Sequence, residues 1–153
     1  MKVEVEVFGL SELNTRLVAI ANGSGEAMRQ GTMTTMLRVE RQAKQMVPTK
    51  TGNLKTSIHA GTLSDGAYCS AGGNFSGLKD VQYARWVEEG TSPHEIRPLN
   101  KRALFWKGAA HPVMVVHHPG TKAHPYFVPA VEAALPFAEQ DMKDAVDKLI
   151  EAT

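Results

Sequence analysis

From its second residue the chain reads Lys, Val, Glu, Val, Glu, Val, Phe. Val3, Val5 and Val7 therefore share one face of a half-exposed strand, because side chains alternate along a strand. Gly9 ends it. Ser11 is placed to cap a helix in which Leu10, Leu13, Leu17 and Ile20 follow a helical period, and Asn22-Gly-Ser-Gly25 should break that helix. A longer helix is predicted from about Glu26 to Val47. Met28, Thr32, Met36, Val39, Ala43 and Met46 form its apolar stripe, read as core or subunit interface, while Arg29, Arg38, Glu40, Arg41 and Lys44 decorate the other faces. Pro48 stops the helix, since the residue before a proline is biased away from the α region.

Beyond that point the period shortens. Apolar and polar residues alternate around Ser64-Asp-Gly66, and Asp-Gly is a strong hairpin signal, so strands are predicted at about 57–63 and 67–72. Gly72–Gly77 is a flexible connection. Residues 81–89 fit a strand or a short helix. Glu95-Ile96-Arg97 and Ala103–Lys107 read as short strands, and Val113–His117 as a clearer one, rich in β-branched residues. In the C-terminal segment Val131, Leu135, Ala138, Met142, Ala145 and Leu149 make one helical stripe, with Glu139, Asp141, Lys143, Asp144 and Lys148 facing out. Pro129 suits a first helical turn, and Pro136 should kink or restart the helix. The sum is an α+β fold in one domain spanning 1–153: a small, mainly antiparallel sheet with a long helix in the N-terminal half and a C-terminal helix.

Composition changes this picture little. Of 153 residues, 42% are hydrophobic and 22% charged, enough for one core. The formal net charge of +1 argues against a strongly electrostatic nucleic-acid binder, which needs a clear excess of Lys and Arg. The single cysteine, Cys69, excludes an internal disulfide framework and a thiolate zinc cluster, and reads as a small core or interface residue. The alternating N-terminus has no apolar signal-peptide core, and no apolar run is long enough to span a bilayer. The expectation is a protein made in the cytoplasm that stays soluble or joins an assembly, with no membrane partner.

Three punctuated motifs carry the rest. In Pro48-Thr-Lys-Thr-Gly-Asn-Leu-Lys-Thr-Ser-Ile58, Pro48 ends a helix, Gly52 allows a tight reversal and Thr51 is placed to cap a new turn, while Leu54 and Ile58 return to the core. Thr51 and Ser57 read as hydroxyls that satisfy backbone, because no base is placed to activate a nucleophile. In Tyr83-Ala-Arg-Trp-Val-Glu-Glu-Gly-Thr91, Glu88 and Glu89 invite an acid–base reading. Adjacent residues point apart on a strand and on a helix alike, so they do not form a pair. One of them is expected to bond the Gly90-Thr91 turn or a basic neighbour, Arg97 or Lys101. In His118-Pro-Gly-Thr-Lys-Ala-His-Pro-Tyr-Phe-Val-Pro-Ala130, Pro119 and Gly120 fit the centre of a type II turn. Pro125, Tyr126, Phe127 and Pro129 then place an aromatic latch ahead of the last helix, packed on its own sheet or on a neighbouring subunit.

Two other clusters call for chemistry. His94, His111, His117, His118 and His124 raise a metal-dependent hydrolase, and His118 and His124 nominally have zinc-ligand spacing. Strand alternation and the lack of a nearby carboxylate other than Glu95 count against it. Between residues 91 and 124, Arg97, Lys101, Arg102, Lys107 and Lys122 face only Glu95, with Phe105 and Trp106 interleaved. That combination suits a single-strand binding platform or an interface with an acidic partner.

The ordered motifs resemble a family of tail components of long-tailed phages, known as tail completion, neck or head–tail joining proteins. The family pattern is a long helix, P-x-x-T-G-x-L-x-x-S-I, a β region, Y-A-x-x-V-E-x-G-T, and a Pro-aromatic motif opening a C-terminal helix. Here these fall on Pro48, Thr51, Gly52, Leu54, Ser57 and Ile58; on Tyr83, Ala84, Val87, Glu88, Gly90 and Thr91; and on Pro125, Phe127, Pro129 and Ala130. Ile96-Arg97-Pro98 and His118-Pro-Gly-Thr121 are similar as well. The likeness spans about residues 26 to 135, and departs at Glu89, where the family tends to an aromatic, and at Tyr126, where Phe often follows the proline. The resemblance implies a structural virion protein of the neck with neither catalysis nor cofactor. It implies a homo-oligomeric ring, commonly six-fold, between the capsid connector and the tail tube. Its partners would be neighbouring neck, terminator and tail tube proteins, with DNA passing through the lumen. A tail terminator or stopper is the near alternative; a nucleic-acid-binding module using 97–107 is the alternative of another class.

Overall fold

The computed structural model describes residues 9–50, 52–73 and 81–153. The alternating segment 2–8, the proposed cap Thr51 and the connection 74–77 lie outside the described residues. One helix dominates: α1 runs unbroken from Leu10 to Met46 over 37 residues, about 55 Å at 1.5 Å per residue. The break expected at Asn22–Gly25 is therefore absent. Ser11 lies inside the helix, and the capping position belongs to Gly9, whose left-handed backbone supplies no side-chain cap. Each glycine in a helix interior costs about 1 kcal/mol, and tertiary packing offsets it. A Cβ on Gly23 would come within 2.5 Å of Leu149 Cδ1, and one on Gly31 within 2.7 Å of the Met142 Cα. These glycines are where the C-terminal helix lies against α1.

The buried face of α1 is Ala27, Gly31, Thr35, Val39 and Ala43, one residue in four. That is a row along which another helix can nest. The predicted stripe meets it only at Val39 and Ala43, with Met36 at its edge; Met28 and Met46 are exposed. A stripe chosen for large apolar side chains overlooks small residues, which bury because they let backbones approach. Val47 adopts an extended conformation ahead of Pro48 and ends α1 as expected.

Against this seam pack α4 (Phe127–Ala134), a 3₁₀ turn (Leu135–Phe137) and α5 (Ala138–Glu151). Ala130 and Ala134 are fully buried. The restart expected at Pro136 is the 3₁₀ turn, which shifts the helical phase and leaves Leu135 exposed. Asp141, predicted to face solvent, is instead buried, with its carboxylate turned onto α1. Arg38 donates to both of its oxygens at 2.7 and 3.3 Å, and the Thr35 hydroxyl donates at 3.0 Å. Arg38, assigned to an outer face, thus spans the helix pair with its guanidinium 4.7 Å from the Phe137 ring centre. Arg38 first, and Thr35 after it, hold Asp141 below the usual carboxylate range against the opposing effect of burial.

A short helix α2 (Asn53–Ser57) leads into the hairpin β1 (His59–Thr62) and β2 (Ala67–Ser70), paired antiparallel from His59 with Ser70 to Thr62 with Ala67. The predicted Asp-Gly turn closes it. Glu40, also expected to face out, accepts the Ala60 N–H at 2.7 Å and so ties α1 to the hairpin. Residues 81–89 resolve as a helix, α3 (Ala84–Glu89). A second antiparallel pair, β3 (His94–Ile96) with β4 (Val116–His118), stands apart from the first. Ala103–Lys107 is no strand: only Leu104 pairs, in a single bridge to Val113. The fold is α+β as predicted, with two separate two-stranded ladders where one small sheet was expected. The core joins Val39, Ala43, Val47, Leu54, Ile58, Val81, Ala84, Tyr126, Ala130 and Ala134. No helix among the described residues is long and apolar enough to cross a membrane.

Candidate functional site: a junction of three motifs

The three motifs are distant in sequence and share one core through Leu54, Ile58, Ala84 and Tyr126, and Glu88 is the centre of the contact between the second and the third. It lies near the end of α3, where its carboxylate accepts the backbone N–H groups of Tyr126, Phe127 and Val128 at 2.8, 2.9 and 3.0 Å. Those groups open α4, where a helix has donors without partners of its own. A carboxylate there also meets the positive end of the helix dipole. Burial works to raise the Glu88 pKa, but the N–H groups of Phe127, Tyr126 and Val128 outweigh it and the net shift is downward. The expected basic partners are not used. Arg97 pairs with Glu95 at 2.7 Å, and Glu89 pairs with Arg85 one helical turn away at 2.8 Å. Glu88 and Glu89 thus act separately, as their adjacency requires.

Gly90 and Thr91 extend the junction. Thr91 and Thr121 exchange backbone hydrogen bonds at 3.0 and 3.1 Å, and the Thr91 hydroxyl also accepts the Thr121 N–H at 3.0 Å. The His124 N–H donates to the Val87 carbonyl at 2.8 Å. Two glycines make this proximity possible. Gly120 has φ +89°, as the centre of the predicted turn requires, and a Cβ there would lie 2.1 Å from the Thr91 carbonyl oxygen. Gly90 has φ +73°, and its Cβ would lie 2.5 Å from the Thr121 carbonyl oxygen. The Pro119-Gly120 turn and the Gly90-Thr91 turn therefore interlock backbone to backbone.

The first motif closes the frame from the other side. Gly52, at φ +81°, precedes α2, while Leu54 and Ile58 are buried in the core. The buried Ser57 hydroxyl donates to the Leu54 carbonyl at 2.8 Å and accepts the Gly72 N–H at 3.0 Å. It satisfies backbone, as its sequence context suggests. A groove of about 310 Å³ runs between Pro48, Gly52, Leu54 and Lys55 on one side and Tyr83 and Val87 on the other. Tyr126 is fully buried in the chain's own core, its hydroxyl directed at the Ala84 carbonyl at 3.5 Å, and burial pushes its pKa up to about 12. Half of the aromatic latch therefore closes within its own chain. Phe127 packs beside the core, Pro129 is half-buried in the first turn of α4, and Pro125 is exposed.

Arg97 stands outside this junction, on a long excursion between Ser92 and His118 in which no residue is buried. Its apolar side chains are unusually open: Leu99 is 94% exposed, Phe105 67% and Met114 66%. Ile96, Leu104, Phe105, Trp106 and Val116 line an open groove of about 380 Å³ there. The sequence reading marked Phe105 and Trp106 but passed over Leu99 and Met114, which isolated positions in an irregular loop do not announce. The His94 and His118 rings stack with centroids 5.1 Å apart. No group of three or more His, Cys, Asp or Glu side chains among the described residues is placed to hold a metal ion. Cys69 packs beside the core, and burial pushes its pKa up to about 11, the opposite of an activated thiol.

No protein-family model, curated protein or solved structure matches this chain.

Proposed function

We propose that the protein is a structural component of the phage head–tail junction, a tail completion or connector protein that assembles as a ring and catalyses no reaction. The carrying observation is that the second and third motifs are tied backbone to backbone around Glu88, that the first shares their core through Leu54 and Ile58, and that this frame holds out an excursion with no buried residue. The motif residues act as joints: Glu88 caps a helix, Gly90 and Gly120 interlock, and Ser57 satisfies backbone. Large apolar side chains left open over a whole excursion mark a contact surface. Binding energy is then the product of the fold, and a closed ring needs the same contact repeated from copy to copy.

Native mass spectrometry of the purified full chain tests this reading, with a closed ring expected, of the commonly six-fold kind that the resemblance implies. A chain that stays monomeric at micromolar concentration and is missing from purified virions overturns it. Phe105 and Trp106, exposed beside Lys101, Arg102 and Lys107, favour a second reading, a nucleic-acid-binding module. It requires DNA affinity that falls steeply with salt.

A further inference from the structure

Two surfaces of this chain complement each other without overlapping. The first is the excursion from Ser92 to His118. Lys101, Arg102 and Lys107 are exposed there, and none has a charged or hydrogen-bonding partner among the described residues. In sequence they flank Phe105 and Trp106, which line the apolar groove. The second is the outer face of α4 and α5. Val128 and Glu132 of α4, Leu135 of the 3₁₀ turn and Glu139 of α5 are all exposed along it, Val128 at 54% and Leu135 at 59%. Asp147 and Glu151 add exposed carboxylates further along α5, with exposed Lys143 set between Glu139 and Asp147. Between residues 127 and 153 there are six acidic residues and two basic ones, and only Asp141 among the acids is turned inward. One surface is therefore basic with an apolar groove, and the other acidic with aliphatic side chains spaced between the carboxylates.

We infer that the excursion of one copy docks on the α4–α5 face of a second copy of this chain, with Lys101 and Arg102 meeting Glu132 and Glu139, and with an aliphatic side chain such as Leu135 entering the groove at Trp106. The inference rests on the ring reading and names its contact. Two different patches on one chain make a head-to-tail interface, the kind that closes into a ring when the rotation allows. Opposite charges around an apolar centre give such an interface its register and its rate of assembly. The excursion fits a protein better than a nucleic acid. Arg97 is already bound to Glu95, and the open side chains of Leu99 and Met114 offer no face on which a base stacks.

A charge-swap experiment on the full chain tests the contact. Lys101→Glu with Arg102→Glu makes one variant, and Glu132→Lys with Glu139→Lys the other. All four positions are exposed and without internal partners, so circular dichroism and melting temperature should match the parent. Each variant alone should self-associate at least about tenfold more weakly in sedimentation velocity. Mixed in equal amounts, they should assemble again as alternating copies, since each excursion then finds a face of opposite charge. If the parent forms a ring and either double variant forms it equally well, the docking inference fails while the ring reading stands. If the parent never assembles, both fail. Impairment of the Lys101/Arg102 variant alone, accompanied by loss of salt-sensitive DNA binding, overturns the inference in favour of nucleic acid.

Discussion

Replacing Glu88 isolates what the junction contributes. Its carboxylate accepts three N–H groups of the first turn of α4 at 2.8 to 3.0 Å, and Tyr126 at the capping position supplies no side-chain cap of its own. In Glu88→Ala water can replace the bond at exposed Val128, but Tyr126 and Phe127 are largely enclosed. Two hydrogen bonds to a charged group, discounted for partial solvent screening, and the loss of a helix cap together give about 2–3 kcal/mol. For a domain of this size that lowers the melting temperature by roughly 5–10 °C. The pH dependence follows from the direction of the shift. A carboxylate whose folded pKa is depressed stabilises fully above its unfolded value, about 4.3, and that stability is lost as pH falls through the lower folded value. Glu88→Gln keeps one acceptor oxygen and cannot titrate, so the gap between parent and variant should narrow as pH drops from about 5 towards 3. Calorimetry at several pH values measures both effects. An alanine variant within about 0.5 kcal/mol of the parent, the range of an ordinary surface substitution, refutes the role assigned to Glu88. So does a parent–glutamine gap that ignores pH.

The two glycines of α1 that face α5, Gly23 and Gly31, should respond oppositely to alanine. Gly31→Ala presses a Cβ onto the Met142 backbone and should cost about 1–3 kcal/mol in chemical denaturation; Gly23→Ala meets only the movable end of Leu149 and should be neutral or stabilising by up to about 1 kcal/mol. Gly120→Ala meets both a positive φ and the Thr91 carbonyl, so a loss of about 2 kcal/mol or more is expected, and an unchanged urea midpoint would contradict the interlock. Cys69 should react with a thiol reagent at pH 8 well below the rate of a free thiol, since burial raises its pKa to about 11; denaturant should restore the ordinary rate. Asp141→Asn should narrow the acid-side loss of stability, because a carboxylate held below its usual range by Arg38 contributes most above about pH 4, and thermal melts at pH 3 and pH 7 measure it.

Legibility in the sequence followed the kind of force involved. Elements set by local chemistry were readable: Pro48 ends α1, Asp65-Gly66 closes the hairpin, and Pro136 interrupts the last helix. The local parts of the roles of Ser57 and Gly120 were also readable, since Ser57 bonds the Leu54 carbonyl three residues back and Gly120 supplies the positive φ of its own turn. What depends on packing was not. Asn22–Gly25 looks like a break because the compensating neighbour, α5, lies more than a hundred residues further on. The burial of Gly31 and Thr35 was hidden because small and polar side chains carry no apolar signal. Asp141 is indistinguishable in pattern from Glu139 and Asp144; only the meeting of α5 with Arg38 turns it inward. Glu88 was visible only as a motif position beside Glu89; its partners are backbone groups, and no residue identity at 126–128 reveals a donor.

The unbroken course of α1 has a mechanical consequence. A rod of about 55 Å without a proline or hinge between Leu10 and Met46 moves as a lever. Its N-terminal end carries exposed Leu10, Leu13 and Leu17, ahead of Gly23, where α5 meets it. A push delivered at those leucines would tilt the whole shaft and swing the seat of Val39, Ala43 and Val47, so that load reaches the heart of the fold as rotation.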